Sequence, residues 1–248
     1  NGSNLGDAQE IFFYETAGFE VIKLEAAGNN VKVTLKISAD CRLGEHVAQV
    51  RTASGISDYR TFFVEALPAA DEKEPNSEFE KAQVVALNTV INGSVGSEDV
   101  DYYIVEAKKG QRISVEVVAM RLSTALFDPY VAILDSKRFD LASNDDTPLA
   151  LQDCFASIIA PEDGKYTIEV RESAYGNGNR YRLHVGTFPR PTAIYPAGGK
   201  LGDKTEVRYL GIPGGELKAT IDVPPEVITD FGVFAQDDGG IAPTANVF

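Results

Sequence analysis

"RISVEVV", residues 112–118, decides the fold. In an extended chain successive side chains point to opposite faces, so Ile113, Val115 and Val117 share one side and Arg112, Ser114 and Glu116 the other. One apolar and one polar face is the pattern of an antiparallel strand laid against a core. "VKVTLKI" (31–37), "YTIEVRE" (166–172) and "RYRLHVG" (180–186) repeat it. Turn-forming clusters punctuate the runs: "AGNN" (27–30), "AKKGQ" (107–111), "PEDGK" (161–165) and "YGNGN" (175–179). No apolar periodicity of a three-turn amphipathic helix competes. The expectation is an all-β chain of tandem β-sandwiches.

The chain has 248 residues, enough for two or three domains, and 44% apolar residues, enough for real cores. Its 37 acids against 23 bases give a net charge of −14. That balance disfavours nucleic acid and anionic membranes as partners, since both recruit basic surface, and suits cation binding. No apolar run approaches the ~20 residues of a membrane span, so no membrane insertion is expected. The opening "NGSNLGDAQEIFFYE" (1–15) has the character of the middle of a domain, which predicts a mature or trimmed fragment. Two Pro-rich stretches, "LPAADEKEPN" (67–76) and "GTFPRPTAIYPAGG" (186–199), each follow a strand and suggest linkers. They divide the chain into 1–68, 69–188 and 189–248. The two cysteines, Cys41 and Cys154, fall in different proposed domains; either two buried thiols or one bridge between domains is compatible with so thin a pattern.

"PTAIYPAGGKLGDKTEVRYLG" (191–211) resembles the opening two strands of an IPT/TIG-like immunoglobulin fold. Residues 1–68 resemble the same module entered late, with "GSNL" (2–5) as the turn and "GEHVAQVRTASG" (44–55) as the closing hairpin. The resemblance implies that the first module lacks its first strand here and that the last lacks its end. Between them five blocks follow in order: "EKEPNSEFEKA" (72–82), "SVGSEDVDYYIVEAKKGQRISVEV" (94–117), "PYVAILDSKRFDLASNDD" (129–146), "APEDGKYTIEV" (160–170) and "YRLHVG" (181–186). This order resembles the bacterial pre-peptidase C-terminal domain and is similar to the collagen-binding domains of clostridial collagenases. It implies a central jelly-roll-like sandwich between immunoglobulin-like modules, in a secreted, cell-surface or periplasmic bacterial multidomain protein.

In the collagenase domains the matching E-x-E-P-N segment and a following D-x-D supply calcium ligands. The corresponding positions here are Glu72, Glu74 and Asn76, then Asp99 and Asp101. Ser77 stands where those domains carry Asn or Asp, which replaces a good side-chain oxygen ligand with a hydroxyl. The chemistry points the same way. Calcium takes 6–8 oxygens, and in an extended segment residues two apart share a face, so 72, 74 and 76 can converge, as can 99 and 101. The competing reading is an acidic linker whose charges are simply solvated. Asn144, Asp145 and Asp146 of "ASNDDTP" (142–148) offer either a second ion site or a side-chain-stabilised turn.

Nothing in the chain has the spacing of a catalytic motif. The two histidines, His46 and His184, lie apart, and "GEHVAQV" lacks the second histidine of a zinc-protease helix. No nucleophile elbow or phosphate loop occurs. The expected role is therefore a non-catalytic, calcium-stabilised accessory, adhesion or binding module whose partner is an extracellular polymer or a neighbouring protein domain. The alternative is an accessory piece of a secreted hydrolase, such as a peptidase, whose catalytic domain lies outside these residues. A sugar-binding sandwich is a weaker third reading, because the chain has no Trp to stack on a sugar ring. Tight collagen binding is not expected. The collagenase domains present tyrosines on the strand after the G-x-Y turn, whereas the polar face of that strand here is Thr167, Glu169 and Arg171.

Overall fold

The computed structural model describes every residue except 15–17, 123–125, 149 and 229–230. Among the described residues the regular structure is β throughout, apart from two short 3-10 turns at Phe79–Lys81 and Met120–Leu122. The chain divides into two compact units, Asn1–Glu65 and Ala66–Phe248.

The first unit contains β1 (Glu10–Phe13), β2 (Phe19–Ala27), β3 (Asn30–Ile37), β4 (Gly44–Arg51) and β5 (Arg60–Val64). β1, β4 and β5 form one antiparallel sheet in the order β1-β4-β5, and β2 and β3 form a separate two-stranded ribbon. Phe13, Phe19, His46 and Phe62 meet ring to ring, with centroids 4.8–5.9 Å apart. His46 is a packing residue here: it is buried, and its Nε2 lies 2.8 Å from the Arg42 carbonyl.

The second unit opens with β6 (Ala69–Asp71), then β7 (Gln83–Val84), β8 (Thr89–Ser94), β9 (Val100–Ala107), β10 (Arg112–Val118), β11 (Pro129–Leu134), β12 (Asp140–Asn144), β13 (Cys154–Ile159), β14 (Gly164–Glu172) and β15 (Arg180–Gly186). These build a sandwich of two five-stranded sheets, ordered β13-β10-β15-β8-β6 and β12-β11-β14-β9-β7. The inward positions marked by the two-residue period, among them Ile113, Val115, Val117, Ile168, Val170, Leu183 and Val185, are fully buried. Each contributes about 1.5–3 kcal/mol by leaving water.

"DEKEPNSEFEKA" (71–82) is not a loose linker. β6 pairs in parallel with β8 in one sheet, and β7 pairs in parallel with β9 in the other. The acidic stretch crosses from sheet to sheet and closes that edge of the sandwich.

Residues 189–248 belong to the same unit but carry a core of their own. β16 (Ala193–Tyr195), β17 (Lys204–Leu210) and β18 (Leu217–Asp222) form an antiparallel sheet around Ile194, Val207, Tyr209 and Ile212. Within the stretch read as a linker (186–199), Phe188, Pro189, Arg190 and Pro191 are buried. They cover the polar face of β10. The Ser114 hydroxyl donates to the Phe188 carbonyl (2.8 Å), and Arg112 donates to the Thr187 carbonyl (2.7 Å) and to both oxygens of Asp237 (2.8 and 2.7 Å). Glu116, 1% exposed, accepts from Arg190 Nε (2.6 Å), Arg121 Nη2 (2.9 Å) and the Thr244 hydroxyl (2.5 Å). The face that alternation alone assigns to solvent is thus buried, because paired charges satisfy it.

Candidate metal centre

The site is built where the crossing segment meets the start of β9. The Glu72 amide donates to the Asn92 carbonyl (3.0 Å), continuing the β6 pairing by one residue. The Tyr102 amide donates to the Asn76 carbonyl (3.0 Å), which sets Asn76 beside Asp101. The Glu74–Pro75 peptide between them is cis. Carboxylate oxygens of Glu72, Glu74 and Asp101 lie within 4.8 Å of one another.

Every oxygen of Glu72 is held. Its Oε1 accepts from the Tyr103 hydroxyl (2.8 Å), the Tyr181 hydroxyl (3.2 Å) and Asn76 Nδ2 (3.1 Å), and its Oε2 accepts from the Ser94 amide (2.8 Å). Glu74 Oε2 accepts from the Asn76 amide (2.9 Å). Asp101 Oδ2 accepts from the Tyr181 hydroxyl (2.6 Å), and the two tyrosine oxygens are 2.5 Å apart. Two hydroxyl protons therefore serve four close oxygen contacts. Asn76 and Asp101 are both 0% exposed, yet Oδ1 of each is buried without a hydrogen-bond partner. Buried acceptors are satisfied in the great majority of cases, so two orphans side by side call for a ligand.

Electrostatics repeats the message. Burial, with the Glu72 carboxylate alongside, pushes the Asp101 carboxyl up to about 9 against the opposing hydrogen bond from Tyr181. Burial likewise raises both tyrosine hydroxyls. A cation would supply the positive charge that three converging carboxylates need in order to stay ionised together. The donor set is entirely oxygen, which suits a hard cation.

Asp99 lies outside the converging group. Its Oδ2 accepts from the Gly96 amide (3.2 Å) and its Oδ1 from the Val100 amide (2.9 Å), so it shapes the turn before β9. Tyr103 and Tyr181 escape a reading of the sequence because both occupy inward positions of their strands and count there as core. Across the same sheet, on its far edge, Asn144 Nδ2 donates to the Thr147 hydroxyl (3.0 Å), within the turn, and to the Phe155 carbonyl of β13 (3.2 Å). Neither Cys41 nor Cys154 is disulfide-bonded; Cys154 is buried in the sandwich core.

The outer face of β14 carries Thr167, Glu169 and Arg171, none of them aromatic, but its neighbours supply rings. Tyr130 stands opposite Arg171 and Tyr102 opposite Glu169. The Arg171 guanidinium lies over Tyr130 (3.8 Å to the centroid) and Tyr175 (4.3 Å), Arg138 lies over Phe79 (4.3 Å), and Phe79 meets Tyr102 edge-on.

Residues 99–172 match the bacterial pre-peptidase C-terminal domain family. Solved structures similar to parts of the chain include the pre-peptidase C-terminal domain of collagenase from Bacillus anthracis, at 21% identity over 42% of this chain and 93% of that one (TM-score 0.35). Another is PliG of Aeromonas hydrophila, a periplasmic inhibitor of g-type lysozyme, at 17% identity over 47% of this chain and 97% of that one (TM-score 0.32). The secreted serine protease VesC of Vibrio cholerae aligns over 74% of this chain and 45% of its own, at 11% identity (TM-score 0.29). No curated protein matches the sequence.

Proposed function

We propose that the chain is a non-catalytic binding module, stabilised by calcium, of a secreted or cell-surface bacterial multidomain protein. The observation that carries this reading is the pair of orphaned, fully buried oxygens, Asn76 Oδ1 and Asp101 Oδ1, beside the carboxylates of Glu72 and Glu74. Those four residues would hold the ion, and the ion would supply the charge that keeps Asp101 and Glu72 ionised in a buried place. Fixing residues 72–76 to β9 would in turn close the sandwich edge. The partner would be an extracellular polymer or a neighbouring protein domain. Calorimetric titration of the chelator-treated chain with calcium tests the reading. One binding event, in the range of roughly 10⁻⁴–10⁻³ M common for extracellular modules, is expected. No heat at millimolar calcium would sink it.

The family matched by residues 99–172 is described as pre-peptidase, which favours a second reading for the parent protein: a secreted peptidase whose catalytic domain lies outside these residues. A peptidase motif elsewhere in the open reading frame would decide for it.

A further inference from the structure

The first unit has a thin core. Among its described residues only Leu5 and Ala48 are buried apolar side chains, with His46 and Thr52 beside them. Its second sheet is the two-stranded ribbon β2-β3, and two strands alone are marginally stable in water. Behind β3 opens a cleft of about 580 Å³, lined on one side by apolar side chains, among them Ile11, Val31, Val33 and Val50, and elsewhere by the N-terminal residues 1–3 and by Ser57, Asp58 and Arg60.

The edge of β3 along this cleft is unpaired. Ala27 and Asn30 flank a two-residue turn and form the hydrogen-bonded closing pair of the hairpin. Hydrogen-bonded and non-bonded pairs alternate from there, so the amides and carbonyls of Val31 and Val33 point away from β2, toward the open edge. Among the described residues no other backbone group bonds them. Their side chains line the cleft, while Lys32, Thr34 and Lys36 face the other way. Each strand pairing of this unit is antiparallel.

We propose that the free edge of β3 is a docking site for one further β-strand, a partner segment from outside these 248 residues, antiparallel to β3, apolar at alternate positions and acidic between them. Its apolar side chains would fill the cleft between β3 and β5. Its acidic ones would stand opposite Lys32 and beside Lys36, which also pairs with Glu20 of β2 (3.2 Å), and opposite charges across a strand pair attract. A second copy of β3 is a poor occupant, because it would set lysine against lysine.

The test is amide hydrogen exchange on the 248-residue chain with a synthetic peptide alternating valine with glutamate. Exchange at Val31 and Val33 should slow at least about tenfold at saturation, as ladder hydrogen bonds form. Leu24 and Ala26, whose amides face the free edge of β2, should not change. A peptide with lysine in place of glutamate should bind several-fold more weakly, and Lys32→Glu, a surface change that leaves the core intact, should narrow or reverse that preference. No slowing, slowing at Leu24 and Ala26 instead, no discrimination between the peptides, or self-association of the chain through β3 would each overturn the proposal.

Discussion

The Tyr102 amide and the Asn76 carbonyl, 3.0 Å apart, tie the acidic crossing segment to β9 one residue from Asp101. Order in residues 72–76 and the geometry around Asp101 are therefore one event. An ion that binds the folded state alone stabilises it by about 2.7 kcal/mol at a hundredfold excess over its dissociation constant. Calcium should raise the melting temperature of the second unit, and chelator should lower it. Asp101→Ala should remove the difference. Asp145→Ala, an exposed change in the turn after β12, should keep it. Melts of the three proteins with and without calcium check this.

Gly93 lies under Tyr181. A Cβ there would meet Cζ of the ring at 2.4 Å and the hydroxyl at 2.5 Å, so the tyrosine would have to move off Asp101 and Glu72. Gly93→Ala is expected to cost about 1–3 kcal/mol, as overpacking does, and to weaken calcium binding in the same protein. Unchanged stability with unchanged calcium affinity would show that Tyr181 is not needed where it stands.

The strands were legible because burial on one face leaves a period of two in the letters, as in Ile113, Val115 and Val117. What covers the other face was not. Ser114 and Glu116 read as solvent-facing, and only the fold reveals that Phe188, Arg190 and Thr244 lie on them. The same holds at the candidate centre. The spacing of Glu72, Glu74 and Asn76 announces a shared face, whereas the Tyr103 and Tyr181 hydroxyls come from strands 78 residues apart and read as core. Asp99 shows the converse. Its spacing from Asp101 suggests a common target, but the turn at 96–100 uses its oxygens first.

Collagen should not be retained tightly. The rings flanking β14 are already engaged: Arg171 lies over Tyr130 and Tyr175, and Phe79 packs on Tyr102. A ligand would have to displace these contacts, each worth about 0.5–1 kcal/mol at an exposed site. The check is a collagen pull-down at physiological salt, in which clear retention of the wild type would contradict the expectation.

Thiol chemistry should separate the two cysteines. Burial pushes the Cys154 thiol well up, with Asp153 and Glu116 adding to it, so it should stay inert in the folded protein. Unfolding without reductant should release two titratable thiols per chain. Fewer than two would mean that Cys41 and Cys154 pair in solution, against the structure.

Glu116 should set the acid limit of the second unit. Burial pushes its carboxyl up, but Arg190, Arg121 and His184 outweigh burial and hold it at about 2, against an ordinary 4.5. In the fold it stays ionised down to that value; in the unfolded chain it takes up a proton near its ordinary one. Its contribution is thus complete above about pH 4.5 and is lost as the pH falls toward 2. Glu116→Gln should flatten the stability profile across that window. Glu116→Ala should cost about 3–5 kcal/mol at neutral pH, because it leaves the buried Arg190 guanidinium without its carboxylate, while Arg121 keeps Asp153. The pair also joins two cores, since Glu116 lies on β10 and Arg190 leads into β16. The sandwich and residues 189–248 should therefore melt in one transition in the wild type. Urea melts from pH 2 to 7 that are equally steep for wild type and Glu116→Gln, or a wild type that melts in two steps, would refute this assignment.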